Sequence, residues 1–181
     1  MGLCPKPKLP DRCRMGSPSL SDCQIAGHPR TSGATREKFG MLERCNEVGG
    51  CLCGAVRFSV AAEPIWSAYC HCESCRRATA SPLAAFVGFD EGCVRFTGDA
   101  RRFYSSSSGV ERSYCANCGT PLSYRSTRWP GEIHLYTPTF DNPAAYPPTF
   151  HVHWAEKLAW LGVMDSLPKH DHASTPADPS K

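Results

Sequence analysis

The chain has 181 residues, 41% of them hydrophobic and 20% charged, with a formal net charge of +3. This length supports one domain with a real core, and the composition is that of a globular protein. The charge argues against a nucleic-acid-binding face: the excess lies in residues 1–47, whereas residues 48–167 hold ten Lys/Arg and ten Asp/Glu, and a polyanionic partner needs a basic patch.

Residues 1–47 carry scattered Pro, Gly, Ser and Arg without sustained periodicity. Such a segment buries too little apolar surface to offset chain entropy, so a disordered N-terminal extension is expected there. Its cysteines, Cys4, Cys13, Cys23 and Cys45, are far apart and lack ligand spacing. The domain is expected over 48–168. Ala55–Val60 alternates apolar with polar, the period of a half-buried strand. Ile65–Tyr69, Leu83–Phe89, Cys93–Phe96 and Arg102–Ser106 follow as strands, the last two split by the turn signal Thr97-Gly98-Asp99. Val110–Tyr114, Leu122–Ser126 and Glu132–Thr137 complete the main series. His151–Trp154 and Lys157–Leu161 read as short strands or turns. No long amphipathic helix is expected, so the fold class is mostly β, in a single domain. Residues 169–181 are polar and Pro/Ser-rich, and read as a flexible C-terminal tail.

The longest apolar run, Leu83 to Phe89, is far short of the ~18 residues of a membrane span. The N-terminus has basic residues but no apolar h-region. The expected location is cytoplasmic, with neither membrane nor nucleic acid as partner; nothing in the sequence sets the oligomeric state. In that compartment clustered cysteines read as metal ligands rather than disulfides.

Seven of the twelve cysteines fall in three clusters: Cys51-Leu52-Cys53, Cys70-His71-Cys72-Glu73-Ser74-Cys75 and Cys115-Ala116-Asn117-Cys118. Thiolate sulfur suits zinc. Gly54 and Gly119 follow the outer pairs, where glycine lets a knuckle turn around a metal. Spacing alone leaves two pairings open. Cys72 and Cys75 can join Cys115 and Cys118 as a long-looped ribbon. Alternatively the outer pairs, Cys51, Cys53, Cys115 and Cys118, share one ion and leave Cys70, Cys72 and Cys75 as a trio. Only the second uses all seven, and a three-ligand zinc with a vacancy is the layout of a catalytic metal.

The runs Gly49–Val56, Tyr69–Arg77 and Tyr114–Leu122, with the later His153–Trp160 and Asp165–Pro168, resemble the glutathione-dependent formaldehyde-activating family. That family includes the centromere protein V type of domain. The resemblance covers about residues 48–168. It implies an Mss4-like zinc-knuckle β fold with two zinc ions per chain. Cys51, Cys53, Cys115 and Cys118 would hold the structural zinc, and Cys70, Cys72 and Cys75 the catalytic one. The implied activity is a carbon–sulfur lyase type of reaction on a thiol or thiol adduct, forming S-hydroxymethylglutathione, with a small thiol such as glutathione as partner. The alternative is a non-catalytic zinc-stabilised binding module or redox switch.

Among neighbours, Arg76 and Arg77 can hold a substrate carboxylate in a bidentate fork. The bland reading of the same pair is a solvated counter-charge. His71 reads as a neighbour of the ligands rather than a ligand, and Glu73 as solvated. His134, and the pair His151 and His153, read as structural. Trp66, Trp154 and Trp160 read as core.

Overall fold

A computed structural model describes residues 47–173. The N-terminal extension with its four cysteines, and residues 174–181, lie outside the described residues. The chain runs through β1 (Glu47–Gly50), β2 (Arg57–Val60), β3 (Trp66–Cys70), α1 (Glu73–Thr79), β4 (Ala84–Asp90), β5 (Val94–Thr97), β6 (Arg101–Ser107), β7 (Val110–Cys115), β8 (Pro121–Ser126), β9 (Glu132–Tyr136) and β10 (Phe150–Val152). The domain is mostly β, as the alternating segments require. The expected strands lie within a residue or two of their sequence bounds. Lys157–Leu161 is not among them: it follows a 3-10 turn at Trp154–Glu156 and ends in a turn.

β1, β2 and β5 form a three-stranded sheet, and the others a seven-stranded sheet in the order β10-β3-β4-β9-β8-β7-β6. All pairings are antiparallel except β10 with β3. Alternation divides the large sheet into two functional faces. Val87 and Phe89 of β4, with Ile133 and Leu135 of β9, pack against Phe58 and Val60 of β2 as the main core. The intervening residues face the other way. There the cross-strand partners run in rows: Trp66 opposite Gly88, Gly88 opposite His134, His134 opposite Tyr124, Tyr124 opposite Arg112. A second row joins Phe150, Ala68, Phe86 and Tyr136. Gly88 belongs in this row because a Cβ there would lie 2.4 Å from the Trp66 indole.

Backbone pairing continues beyond β10. His151 N–H donates to the Pro168 carbonyl at 2.8 Å, His170 N–H to the His151 carbonyl at 2.9 Å, and Trp154 N–H to the His170 carbonyl at 2.9 Å. Residues 168–170 therefore lie alongside β10.

Candidate metal centre and its cavity

The fold brings the outer cysteine pairs together. The sulfurs of Cys51, Cys53, Cys115 and Cys118 all lie within 4.8 Å of one another. Each pair sits on a turn at a strand end, and the turns need their glycines: Gly54 and Gly119 have φ of +77° and +74°, which L side chains avoid. Val56 N–H donates to Cys51 Sγ at 3.2 Å, and Cys118 Sγ lies 3.1 Å from the Thr120 hydroxyl. The Thr120 hydroxyl, then the main-chain N–H groups of Thr120 and Cys53, hold the Cys118 thiol down at about 5. Cys115 and Cys51 are buried with Val56 and Leu122, so this cluster is also a small core.

Cys70, Cys72 and Cys75 form a second group, again within 4.8 Å. Cys70 ends β3. Cys72 caps α1, its sulfur accepting from the Cys75 N–H at 3.3 Å, and Cys75 lies one turn in. Thus one strand end and one short helix deliver three sulfurs to one point. Cys70 and Cys75 are buried and Cys72 is half-buried.

Both groups fit a tetrahedral metal. Four ligands ~2.3 Å from a zinc lie roughly 3.8 Å apart. The observed separations are 3.5 Å for Cys51–Cys53, 3.8 Å for Cys53–Cys115 and 3.5 Å for Cys70–Cys72. Charge gives a second test. Thiol contacts from Cys70 and Cys75 pull Cys72 down to about 2, while sharing with Cys72 and Cys75, and burial, push Cys70 up. Ionising three adjoining sulfurs together calls for a cation between them.

Arg112, at the centre of β7, reaches the same point and was not singled out by the sequence. It is only 7% exposed. It donates to Ser74 and Tyr136 hydroxyls at 3.0 Å each and to Ser106 at 3.3 Å, and its Nη2 lies 3.7 Å from Cys75 Sγ. The guanidinium also lies 4.9 Å from the Tyr124 ring centroid.

Behind the trio, His71 is fully buried rather than solvated. Its Nε2 shares a hydrogen bond with His151 Nδ1 at 2.9 Å, and His151 Nε2 is 3.1 Å from both Asp165 oxygens. Burial, then His151, lowers the His71 imidazole to about 4. The pairing of His151 with His153 that the sequence suggested is replaced by this chain: His153 turns away with φ +55° and contacts Glu156 at 2.9 Å.

In front of the trio lies a cavity of about 810 Å³, touched by all three cysteines and Arg112. Its wall is the outward face of the large sheet: Trp66, Phe86, Tyr124, Phe150 and Val152, with Trp129 from the β8–β9 turn. Trp66 therefore lines the cavity, and Trp160, expected in the core, is 70% exposed. His134 is packed edge-on against Trp66 at 4.5 Å and stacked on Tyr124 at 5.4 Å.

Arg76 and Arg77 lie apart from this wall. Arg76 donates to the carbonyls of His71 and Glu156 at 2.9 and 3.3 Å. Arg77 pairs with Glu73 at 2.8 Å and is exposed. It borders a second cavity of about 750 Å³, lined also by Glu73, Ser74 and Arg112.

The family model for the glutathione-dependent formaldehyde-activating enzyme matches residues 46–156. An uncharacterized lyase of Schizosaccharomyces pombe is 38% identical over 79 residues, 44% of this chain and 57% of the relative. The chain thus spans little more than half of that relative's length. A protein of Halomonas elongata, provisionally named a glutathione-dependent formaldehyde-activating enzyme, is 27% identical over 124 residues, 64% of this chain and 79% of that protein. A solved Rhodobacter sphaeroides protein aligns with TM-score 0.45 and 21% identity, over 52% of this chain and 87% of that one. Among the described residues, no helix is long and apolar enough to cross a membrane.

Proposed function

Because this chain belongs to the glutathione-dependent formaldehyde-activating enzyme family, we propose that it is a zinc-dependent enzyme of the carbon–sulfur lyase type. It joins a small thiol such as glutathione to formaldehyde, or cleaves the adduct. Two zinc ions are assigned per chain. Cys51, Cys53, Cys115 and Cys118 hold the structural one; Cys70, Cys72 and Cys75 hold the catalytic one.

The observation that carries this reading is the segregation of the seven sulfurs. Four close a site at the edge of the fold, and three stand at the floor of a cavity. A zinc held by Cys70, Cys72 and Cys75 would supply Lewis-acid chemistry that favours the thiolate form of a substrate thiol. The chain's own residues do the rest. Cys72 is the least buried of the trio and lines the cavity with the other two. Arg112 offsets the negative charge of the sulfurs and fixes Cys75. The aromatic wall excludes bulk water, which keeps a thiolate reactive and disfavours hydrolysis. Arg77, exposed beside the second cavity, is positioned for a substrate carboxylate at its outer edge. Arg76, with its donors on two carbonyls, braces the segment that carries the trio.

The test is thiol-dependent formaldehyde consumption by zinc-replete protein, with zinc counted in the same sample. About two zinc per chain and activity abolished in Cys72→Ser are expected. Full activity in that variant would remove the trio from the reaction. A single tightly held zinc with no thiol reaction would leave the non-catalytic binding module.

A further inference from the structure

The cavity in front of the trio is far larger than a one-carbon substrate needs. Formaldehyde contributes one carbon and one oxygen, yet the space measures about 810 Å³, within the range of pockets that enclose drug-sized ligands. Its chemistry is also wrong for glutathione alone, which carries two carboxylates and an ammonium. Trp66, Phe86, Tyr124, Trp129 and Phe150 present ring surface into the cavity. Of the charged lining residues, Arg112 is buried with its donors on three hydroxyls and Cys75 Sγ, whereas Glu73, Arg128 and Glu156 are exposed to solvent. Their place is the mouth.

The rings are continuous with the trio. Phe86 and Tyr136 pack in one cluster with Cys70 and Cys75, and Trp66, Tyr124, Cys72 and Val152 pack onto it. From there Tyr124 leads to Trp129 at 6.3 Å, and Trp66 to Phe150 at 6.5 Å. A group attached to a sulfur held at the trio has this wall beside it. Aromatic walls of this kind favour flat, apolar rings, which gain both burial and ring–ring contact.

We propose that the site favours thiol–aldehyde adducts that bear an aromatic or comparably bulky apolar group, on the thiol or on the aldehyde, over the adduct of glutathione with formaldehyde. The inference rests on the function proposed above. In the step, the thiol loses its proton, a sulfur–carbon bond forms at the aldehyde carbon, and the carbonyl π bond breaks. The proton ends on the carbonyl oxygen, and no oxidant or reductant is required. Cleavage is the reverse.

The ring can enter on either partner, and four reactions distinguish the sources. The zinc-loaded full chain is assayed with glutathione plus phenylacetaldehyde or formaldehyde, and with formaldehyde plus benzyl mercaptan or 2-mercaptoethanol, each corrected for the spontaneous rate. A ring on the favoured partner is expected to raise kcat/KM by about tenfold or more, the scale of added apolar contact in a pocket. Trp129→Ala is expected to lower that ratio. Trp160→Ala, exposed and away from the cavity, is expected to leave it. Active protein without preference for a ring on either partner would overturn the inference and leave the proposed function standing. No turnover of any pair, with calorimetric binding of benzyl mercaptan weakened by Trp129→Ala, would retain the ring site and remove the proposed function. Neither turnover nor binding would remove both.

Discussion

Arg112 Nη2 lies 3.7 Å from Cys75 Sγ, and among the described residues its other hydrogen-bond partners are hydroxyls, with no carboxylate among them. A buried cation without a counter-charge is costly. Three thiolates on a divalent ion carry a net charge of −1, which is the missing partner. Arg112→Met is therefore expected to weaken metal retention at the trio by roughly 10- to 100-fold, the usual effect of losing a group that supports the ligands. Arg112→Lys should recover part of it, because an ammonium restores charge but not the planar fork. Chelator competition with Co²⁺ as an optical probe reads this directly. Equal retention in the wild type and the Met variant would deny the guanidinium that part.

The two sulfur groups should fail differently. Cys115 is fully buried within a core cluster, and binding of a structural zinc contributes folding free energy of order ~10 kcal/mol. Cys115→Ser should abolish cooperative thermal unfolding. Cys72→Ser, at the cavity edge, should keep a cooperative melt while losing about one metal per chain. Circular dichroism with metal analysis separates the cases, and matching melts for both variants would contradict the division of roles.

Gly88→Ala tests the wall. A Cβ would press into the Trp66 indole at 2.4 Å, and overpacking of this kind costs about 1–3 kcal/mol. The ring must shift off its place beside His134, 4.5 Å away. A lower urea midpoint and a changed tryptophan emission are expected; a midpoint equal to wild type would mean the strand yields instead.

Glu132 gives a pH signature. Its carboxylate accepts from His134 Nε2 at 3.2 Å and from Trp66 Nε1 at 3.1 Å. The contact with His134, then that with Trp66 against the opposing effect of burial, lowers it below its ordinary 4.5. The unfolded chain therefore takes up a proton before the folded one does. The stabilisation is complete above pH 4.5 and is lost as pH falls through the lower folded value. Urea midpoints between pH 6 and 3 should drop less steeply in Glu132→Gln than in wild type. Parallel slopes would locate the acid sensitivity elsewhere.

Much of this molecule was legible because local period suffices for it. Ala55–Val60 and Leu83–Phe89 declare strands because burial of one or both faces is written into their residue types. The cysteine motifs declare candidate metal ligands by spacing, but which pairs stand together is decided by the fold. α1 was missed because it has only seven residues and its cap is Cys72 rather than Ser, Thr or Asp. Arg112 was missed because its importance depends on register, which sets it opposite Tyr124 and within reach of Ser74, 38 positions earlier. The chain from His71 to His151 to Asp165 spans separations of 80 and 14 residues. No local pattern signals contacts of that range. Trp129 lies in the turn from β8 to β9, and its place on the cavity follows only from how those strands meet.

β7 ends at Cys115, and three residues earlier the same strand holds Arg112 against Cys75. The strand thus reaches both sulfur groups, but unequally, with a register shift between Ser113 and Tyr114. It carries one of the four outer sulfurs and gives the trio only a supporting contact. Under the proposed roles, stripping the outer group is expected to loosen the strand and weaken the brace on the trio, whereas stripping the trio should leave the strand anchored. Assembly would then have a direction, with the cavity-lining group maturing after the outer one.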